Sequence, residues 1–190
     1  MRIAVSGTHC TGKSTLIDEF LRTHPEFTHE AEPYAVMVED LGEDFAAEPC
    51  VEDFHRQLEF NIDRLQQHAP GERVIYERCP IDFLAYIDAL DPKKTNTLLV
   101  QVSNEMQHLD LIVYLPLDDT TPDCEYPKLQ KAVDRRLSAI FREDEFGVLS
   151  SCSAAIVEAS GSTTQRLRII ESHLVQSNTQ PGDVSQSMTS

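Results

Sequence analysis

One short stretch near the start of the chain has the residue types and the spacing needed to bind phosphate. It reads G-x-x-x-x-G-K-S and comprises Gly7, Thr8, His9, Cys10, Thr11, Gly12, Lys13 and Ser14, with Thr15 behind them. The two glycines permit backbone angles that other residues adopt reluctantly, so successive amides can curl around a phosphate. Lys13 supplies a positive charge for β- and γ-phosphates, and the Ser14 hydroxyl is a suitable ligand for Mg²⁺. We therefore predict that residues 7–15, hereafter the phosphate loop, bind a nucleoside triphosphate.

The residues on either side of the phosphate loop have the pattern that such a site requires. The apolar residues 3–5 predict a strand that leads into the loop. After it, Leu16, Ile17 and Phe20 recur at helical spacing and predict a helix over residues 13–23 with one face packed on a sheet. Strand, glycine loop and helix in this order are the context in which the pattern binds phosphate.

The composition bounds what the rest of the chain can be. At 190 residues the chain is long enough for one domain with a sizeable core and too short for two ordinary ones. Its 32 acidic residues against 16 basic ones give a net charge of −16, which argues against nonspecific binding to nucleic acid or to an anionic membrane surface. A phosphate ligand therefore depends on a local cationic pocket and on Mg²⁺.

The cysteines and the apolar runs are typical of a cytoplasmic protein. The five cysteines are widely spaced and form no C-x-x-C pair, which indicates reduced thiols and gives no zinc pattern. The N-terminus has no charged segment followed by an apolar core, and no apolar run approaches the length of a membrane span. We expect neither a nucleic-acid partner nor a membrane partner.

Further candidate groups follow two predicted strands. Residues 27–30 predict a short strand that leads to Glu32, and residues 73–76 predict another that leads directly to Glu77 and Arg78. Ligands bind at the carboxyl ends of strands in open α/β sheets, so these three side chains lie where chemistry is possible. A strand-end ion pair is the alternative interpretation for Glu77 and Arg78.

A basic helix is predicted in the second half of the chain. Lysines and arginines recur near helical spacing over residues 128–142, the most basic part of the sequence. This pattern suits a lid that presents arginines, Arg135 and Arg142 above all, to the phosphates during phosphoryl transfer. The alternative is that these arginines pair with acidic neighbours on the same helix.

Strands and helices alternate along the chain and so predict the fold class. The apolar residues 109–117 predict a strand buried on both faces, and residues 154–159 predict the last strand. We expect an α/β protein, a three-layer α/β/α sandwich with a mostly parallel, doubly wound sheet of about five strands and a helical lid at about residues 120–147. This domain should span residues 1–175, and the polar residues 176–190 should form a disordered tail.

These motifs resemble those of P-loop kinases that phosphorylate small molecules. The group comprises deoxynucleoside kinases, thymidylate kinases and the ribosylnicotinamide kinase domain, and the resemblance covers roughly residues 1–175. The segment that begins with Glu32 is similar to the Glu-Pro-Val-Ala stretch of deoxynucleoside kinases, whose glutamate is the general base. Glu77 and Arg78 are similar to the start of their Glu-Arg-Ser segment and to the Asp-Arg segment of thymidylate kinases.

The resemblance implies phosphoryl transfer that depends on ATP and Mg²⁺. Lys13 and the loop amides would hold the phosphates, and Ser14 with Glu77 would organise the metal. Glu32 would accept a hydroxyl proton, while Arg78 and a lid arginine would neutralise the transferred group. The basic helix is similar to the family lid, and the Ser160-Gly161-Ser162 stretch occupies the place of the loop that lies against adenine.

The small-molecule acceptor stays open between a nucleoside, a nucleotide and nicotinamide riboside. Deoxynucleoside kinases usually carry an arginine shortly after the Glu-Pro pair, whereas this chain has apolar residues there, namely Val36, Met37 and Val38. The chain has no tryptophan. Stacking on a base would therefore fall to Tyr34, Phe54, Phe60 or Tyr86.

Two other functions remain open from the residues alone. A nucleotide hydrolase or switch would use water as its acceptor, although the chain lacks the Asn-Lys-x-Asp guanine signature. A noncatalytic ATP-binding module would keep the phosphate loop without the chemistry. Acceptor-stimulated turnover distinguishes a kinase from both.

Overall fold

The β-branched and apolar runs of the sequence form one parallel sheet. The computed structural model describes residues 1–119, 121, 122 and 124–178, the last three of them by their backbone alone. Within these residues the strands are β1 (Arg2–Ser6), β2 (Thr28–Glu30), β3 (Val74–Glu77), β4 (Leu111–Tyr114) and β5 (Ala155–Glu158). Each pair of neighbours is parallel, and the order is β2-β3-β1-β4-β5. The predicted parallel sheet of about five strands is confirmed.

Helices cover both faces of the sheet. They are α1 (Lys13–Thr23), α2 (Pro33–Glu39), α3 (Val51–Gln67), α4 (Pro80–Leu90), α5 (Pro92–Thr95), α6 (Leu99–Met106), α7 (Pro127–Glu143) and α8 (Thr163–Asn178). Parallel strands need crossover connections, and helices that pack on the sheet supply them. The predicted three-layer α/β/α arrangement is confirmed.

The alternation of side chains along the central strand separates two cores. Ile3 and Val5 of β1 pack with the buried residues of α1 and α8, including Phe20. Ala4 points to the opposite face and packs with residues of α3, α4, α6 and α7, including Phe83. Complete burial of an aliphatic or aromatic side chain contributes roughly 1.5–3 kcal/mol relative to exposure. The two cores therefore fix β1, and with it the loop that follows β1.

The basic helix α7 is part of the core of the domain. Its residues Val133, Leu137 and Ile140 are fully buried. On its polar side Arg136 reaches α4, with Nε 2.7 Å from Oδ2 of Asp88. The segment predicted as a lid, residues 120–147, thus contains a helix that is anchored by packing and by an ion pair.

The predicted bounds of one strand were wrong. The strand predicted over residues 109–117 is only four residues long, because Pro116 cannot donate a ladder hydrogen bond and the chain leaves the sheet after Tyr114. The last helix ends at Asn178, and the predicted limit of the domain at residue 175 with a disordered tail behind it stays a prediction. The remainder of the predicted tail, residues 179–190, lies outside the described residues.

The helices give no indication of a membrane span. Among the described residues, none of the helices combines the length and the apolar composition that crossing a bilayer requires.

Candidate active site

The phosphate loop joins β1 to α1 at the carboxyl edge of the sheet. The amide of Gly7 donates to Oδ1 of Asp82 at 2.9 Å, which ties the start of the loop to α4. Gly7 has a φ of 148°, and a Cβ at this position would lie 2.7 Å from the carbonyl oxygen of Leu115. A side chain at residue 7 would therefore displace the loop or the strand exit beside it.

The loop and the start of α1 present a row of backbone donors. The first amides of a helix have no intrahelical acceptor, and the helix N-terminus carries a partial positive charge. Among the described residues, none accepts a hydrogen bond from the backbone amides of residues 8–15. Free donors at a helix N-terminus fit the phosphates of a nucleotide.

Lys13 adds a buried cation to these donors. Its Nζ donates to the carbonyl oxygen of Thr8 at 3.0 Å, inside the loop itself. Burial and the nearby charge of Arg78 lower the pKa of Lys13 to about 8. The ammonium group is therefore charged at neutral pH. Its hydrogen bond goes to a carbonyl without net charge, so the positive charge suits an anionic ligand.

The side-chain oxygens of Ser14 and Glu77 meet at the mouth of the loop. The Ser14 hydroxyl donates to Oε1 of Glu77 at 2.9 Å, although the two residues are 63 positions apart. Glu77 is buried at the end of β3, beside β1. Mg²⁺ is usually bound through one or two carboxylates together with substrate phosphates, so this pair fits the ion.

Arg78 is the most constrained charged residue of the site. It is 2% exposed and has a φ of 76°, a left-handed conformation that is uncommon for any residue except glycine. Its guanidinium contacts Oε1 of Glu32 at 2.5 Å, the carbonyl oxygen of Gly7 at 3.1 Å and Nδ1 of His9 at 3.2 Å. Strained backbone of this kind is characteristic of functional sites.

Glu32 precedes α2 and stays ionised. Burial alone would raise the pKa of Glu32, but the charges of Arg78 and Lys13 outweigh it and lower the pKa to about 2. Burial alone would lower the pKa of Arg78, but the negative charge of Glu32 outweighs it and raises the pKa. The structure therefore brings together the two strand-end groups that the sequence predicted separately.

His9 is neutral in this environment. Burial and the charge of Arg78 lower the pKa of His9 to about 3. Because the guanidinium of Arg78 can only donate, Nδ1 of His9 accepts, and the ring proton is on Nε2. The ring also packs against Tyr86, with 5.2 Å between the ring centroids.

A cleft of about 370 Å³ opens beside this cluster. We call it the acceptor cleft, and the side chains that characterise it are Glu32, Tyr34, Phe45, Asp53, Phe54 and Gln57. His9 and Cys10 of the phosphate loop also line it, so the cleft and the loop are continuous. Of the aromatic residues predicted to stack on a base, Tyr34 and Phe54 line the cleft, and Tyr86 stacks behind Phe54 at 4.4 Å. Phe60 instead packs under Arg64.

The predicted lid arginines lie away from the loop. Arg142 pairs with Glu158 at the end of β5, at 2.8 and 2.9 Å, and Nε of Arg135 donates to the carbonyl oxygen of Lys131 at 3.3 Å. Both contacts are exposed to solvent. The structure therefore does not join these two arginines to Lys13 and Arg78.

Two residues that sequence reasoning missed do contact the loop. Gln130 on α7 donates to the carbonyl oxygen of His9 at 2.7 Å, and Arg166 on α8 donates to that of Thr11 at 2.5 Å. Each is a polar residue within the buried stripe of its helix. Polar residues on a buried face require partners, and this rule could have identified both.

The predicted adenine loop lies between β5 and α8. Ser160 and Gly161 are exposed, and Gly161 has a φ of 88°. The amide of Ser162 donates to Oε1 of Gln165 at 2.8 Å, which is half of a capping box at the start of α8. Whether this loop contacts a base stays a prediction.

The phosphate loop on a doubly wound parallel sheet defines the class: a P-loop α/β protein with the architecture of small-molecule kinases. The AAA domain family model matches residues 2–166, and the chain belongs to this family. A search among curated proteins found no match.

Solved structures confirm the fold. Deoxyadenosine kinase from M. mycoides with bound dATP is 16% identical, with a TM-score of 0.63, over 92% of this chain and 100% of that one. NadR in complex with NAD and AMP-PNP is 18% identical, with a TM-score of 0.68, over 97% of this chain. The chain spans about half of the length of NadR, 51%. The predicted resemblance to P-loop kinases of this group is confirmed at the level of the fold.

Proposed function

We propose that residues 1–175 form a kinase that transfers a phosphoryl group from ATP, with Mg²⁺, to a small acceptor. The acceptor is a nucleoside, a nucleotide or nicotinamide riboside. One observation carries the proposal: the guanidinium of Arg78 contacts both Gly7 of the phosphate loop and Glu32 of the acceptor cleft. Structures of the same fold hold dATP, AMP-PNP or NR, which supports a nucleotide donor and a nucleoside-like acceptor.

The phosphate loop binds and orients the donor in this proposal. The amides of residues 8–15 and the ammonium of Lys13 hold the β- and γ-phosphates. Ser14 and Glu77 would hold Mg²⁺, and the ion, when bound, neutralises charge on the phosphate oxygens. Ser160 and Gly161 would lie against the base of the nucleotide.

The acceptor cleft positions the nucleophile beside the loop. Glu32 accepts the hydroxyl proton of the acceptor, and Arg78 neutralises charge on the phosphoryl oxygens during transfer. Tyr34 and Phe54 offer apolar walls to a flat ring, and Gln57 offers an amide for hydrogen bonds. Positioning and charge stabilisation of this kind account for most of phosphoryl-transfer catalysis.

Arg135 and Arg142 remain the predicted lid arginines. Their contribution requires that Arg142 leave Glu158 and that α7 or the segment before it move toward the loop. We further propose that the protein acts in the cytoplasm, because its five widely spaced cysteines indicate reduced thiols. It should have no nucleic-acid or membrane partner, because its net charge is −16.

An acceptor screen tests the proposal. ADP release from ATP and Mg²⁺ is measured with a panel of nucleosides, nucleotides and nicotinamide ribosides, and phosphorylated products are identified by mass spectrometry. Lys13→Met serves as the inactive control. A single acceptor class that stimulates ADP release and gains a phosphate supports the kinase. ADP release that ignores every acceptor identifies a hydrolase or switch, and thermal stabilisation by ATP without ADP release identifies a binding module.

A further inference from the structure

Arg166 connects three separate segments through one buried guanidinium. Its side chain is 10% exposed and lies on α8. Nη1 donates to the carbonyl oxygen of Thr11 at 2.5 Å, and Nη2 lies 3.4 Å from Oδ2 of Asp118. Thr11 belongs to the phosphate loop, and Asp118 belongs to the segment after β4, just before the predicted lid. Arg166 therefore ties α8 to the loop and to the approach of the lid.

The contact with Thr11 acts on a phosphate donor. The carbonyl of Thr11 and the amide of Gly12 belong to the same peptide group. A charge-assisted hydrogen bond to the carbonyl polarises that peptide and makes its N–H a stronger donor. The amide of Gly12 has no acceptor among the described residues, so it can donate this stronger hydrogen bond to a ligand.

Arg166 also brings a positive charge close to the loop. Its Nη1 lies 3.5 Å from where a Cβ of Gly12 would be. The whole chain has a net charge of −16, so an anionic ligand depends on cations held within the site. Burial of the guanidinium keeps its field from being screened by salt.

Stability alone does not account for an arginine at this position. Its neighbours on the buried face of α8, Leu167 and Ile170, are apolar. The Nε of Arg166 is buried and has no acceptor among the described residues. A buried donor without a partner destabilises a protein, so an apolar residue would serve the core better.

We propose that Arg166 is a positioning residue for nucleotide phosphates. It holds the phosphate loop in the shape that presents its amides, strengthens the Gly12 donor, and couples the segment at Asp118 to the loop. The ligand class is a polyphosphate, as in a nucleoside di- or triphosphate. This inference rests on the nucleotide binding proposed above, and it requires neither an acceptor nor phosphoryl transfer.

Arg166→Met tests the role, because methionine keeps an apolar stem of similar length and removes the hydrogen bonds. Arg168→Met is the matched control, since Arg168 is exposed on the same helix. Dissociation constants are measured for ATP with Mg²⁺ and for inorganic tripolyphosphate, together with the melting temperature of the ligand-free protein. We expect Arg166→Met to weaken both ligands by about ten- to hundredfold, and the control to bind both as the wild type does.

Arg166→Lys is the second variant. Lysine keeps the charge, but its single ammonium group cannot contact Thr11 and Asp118 together as the planar guanidinium does. It should weaken both ligands about three- to tenfold, and it decides the matter if Arg166→Met does not fold. A lower melting temperature with unchanged affinity for both ligands would show a purely structural contact and overturn the proposal. Weakened ATP binding with unchanged tripolyphosphate binding would also overturn it. A wild type that binds ATP but phosphorylates no acceptor refutes the kinase and leaves this inference standing.

Discussion

Nε of Arg78 lies 2.5 Å from Oε1 of Glu32, across 46 positions of the sequence. The same guanidinium contacts Gly7, so one side chain joins the phosphate loop to the acceptor cleft. The pair also sets the chemistry of Glu32, because a carboxylate with a pKa of about 2 is a weak proton acceptor at neutral pH. We therefore expect Glu32 to become more basic when Arg78 shares its charge with a bound phosphate.

Replacement of Glu32 by glutamine tests the general base. Glutamine keeps the shape of the side chain but cannot accept the hydroxyl proton, so Glu32→Gln should lower acceptor-dependent turnover by about 10²- to 10⁴-fold. The affinity for ATP should change little, because Glu32 does not contact the loop amides. Steady-state ADP release and ATP titration measure the two quantities. Glu39→Gln, on the exposed end of α2, is the control. Equal turnover in the two variants would remove Glu32 from the mechanism.

Lysine should not be able to replace the planar guanidinium of Arg78. Arg78→Lys keeps a charge but cannot reach Glu32, Gly7 and His9 at once. We expect it to lower the free energy of unfolding by about 2–4 kcal/mol, because partners of a buried ion pair lose their bonds. Arg73→Lys is the control, since Arg73 forms an exposed pair with Glu26 and its replacement should leave stability close to that of the wild type. Urea unfolding measures both, and similar losses would contradict the central role of Arg78.

The hydroxyl of Ser14 should set the requirement for magnesium. Ser14→Ala removes one of the two oxygen ligands and leaves Glu77 without its donor. The Mg²⁺ concentration for half-maximal ADP release should rise by about ten- to hundredfold. Ser14→Thr keeps the hydroxyl, so its half-maximal Mg²⁺ concentration should equal that of the wild type. An unchanged Mg²⁺ titration in Ser14→Ala would exclude this residue as a ligand.

Alanine substitutions at two glycines with positive φ distinguish the cost of backbone strain from the cost of a steric clash. Gly42 has a φ of 66° and nothing within 4 Å of an added Cβ, so Gly42→Ala should lower stability by about 1 kcal/mol through strain alone. At Gly7 the added Cβ would also lie 2.7 Å from the carbonyl oxygen of Leu115. Gly7→Ala should therefore lower stability by about 2–5 kcal/mol. Chemical unfolding of both variants checks this order. Similar losses in the two variants would show that the loop relaxes around the added Cβ.

The neutral His9 predicts lower stability in acid. The unfolded chain protonates this histidine below about pH 6.5, whereas the folded protein keeps it neutral down to about pH 3. The unfolded state thus binds more protons, and stability should fall as pH decreases through this window, by roughly 1 kcal/mol per pH unit. His9→Gln should make the decline between pH 7 and pH 5 shallower, in urea unfolding at each pH. His55→Gln, at an exposed histidine on α3, is the control for the substitution itself.

The stability of His9→Gln should still fall as the pH decreases below 5. The lowered pKa of Glu32 means that its contribution to stability is complete above about pH 4.5 and is lost as pH falls toward 2. For His9 itself, the contrary outcome is a free energy of unfolding that falls equally steeply between pH 7 and pH 5 in His9→Gln and in the wild type. That result would show that folding does not shift the pKa of His9.

The sequence by itself determined the class of the protein and the position of the phosphate loop. The phosphate loop, the buried strands and the amphipathic helices are local patterns, because hydrogen bonding and burial within one segment decide their form. Lys13 and Ser14 follow from the loop pattern alone. Glu77 could be placed because parallel strands all end at one edge of the sheet.

Only the tertiary structure decided which side chains meet. The contact of Arg78 with Glu32, the lining of the acceptor cleft, and the contacts of Gln130 and Arg166 with the loop join residues from different elements. The sequence favoured Arg135 and Arg142 of α7 as lid arginines, but packing turned Arg142 toward Glu158 and Arg136 toward Asp88. The rotation of a helix about its axis depends on how its apolar face packs against its neighbours, and a periodic pattern does not contain that information.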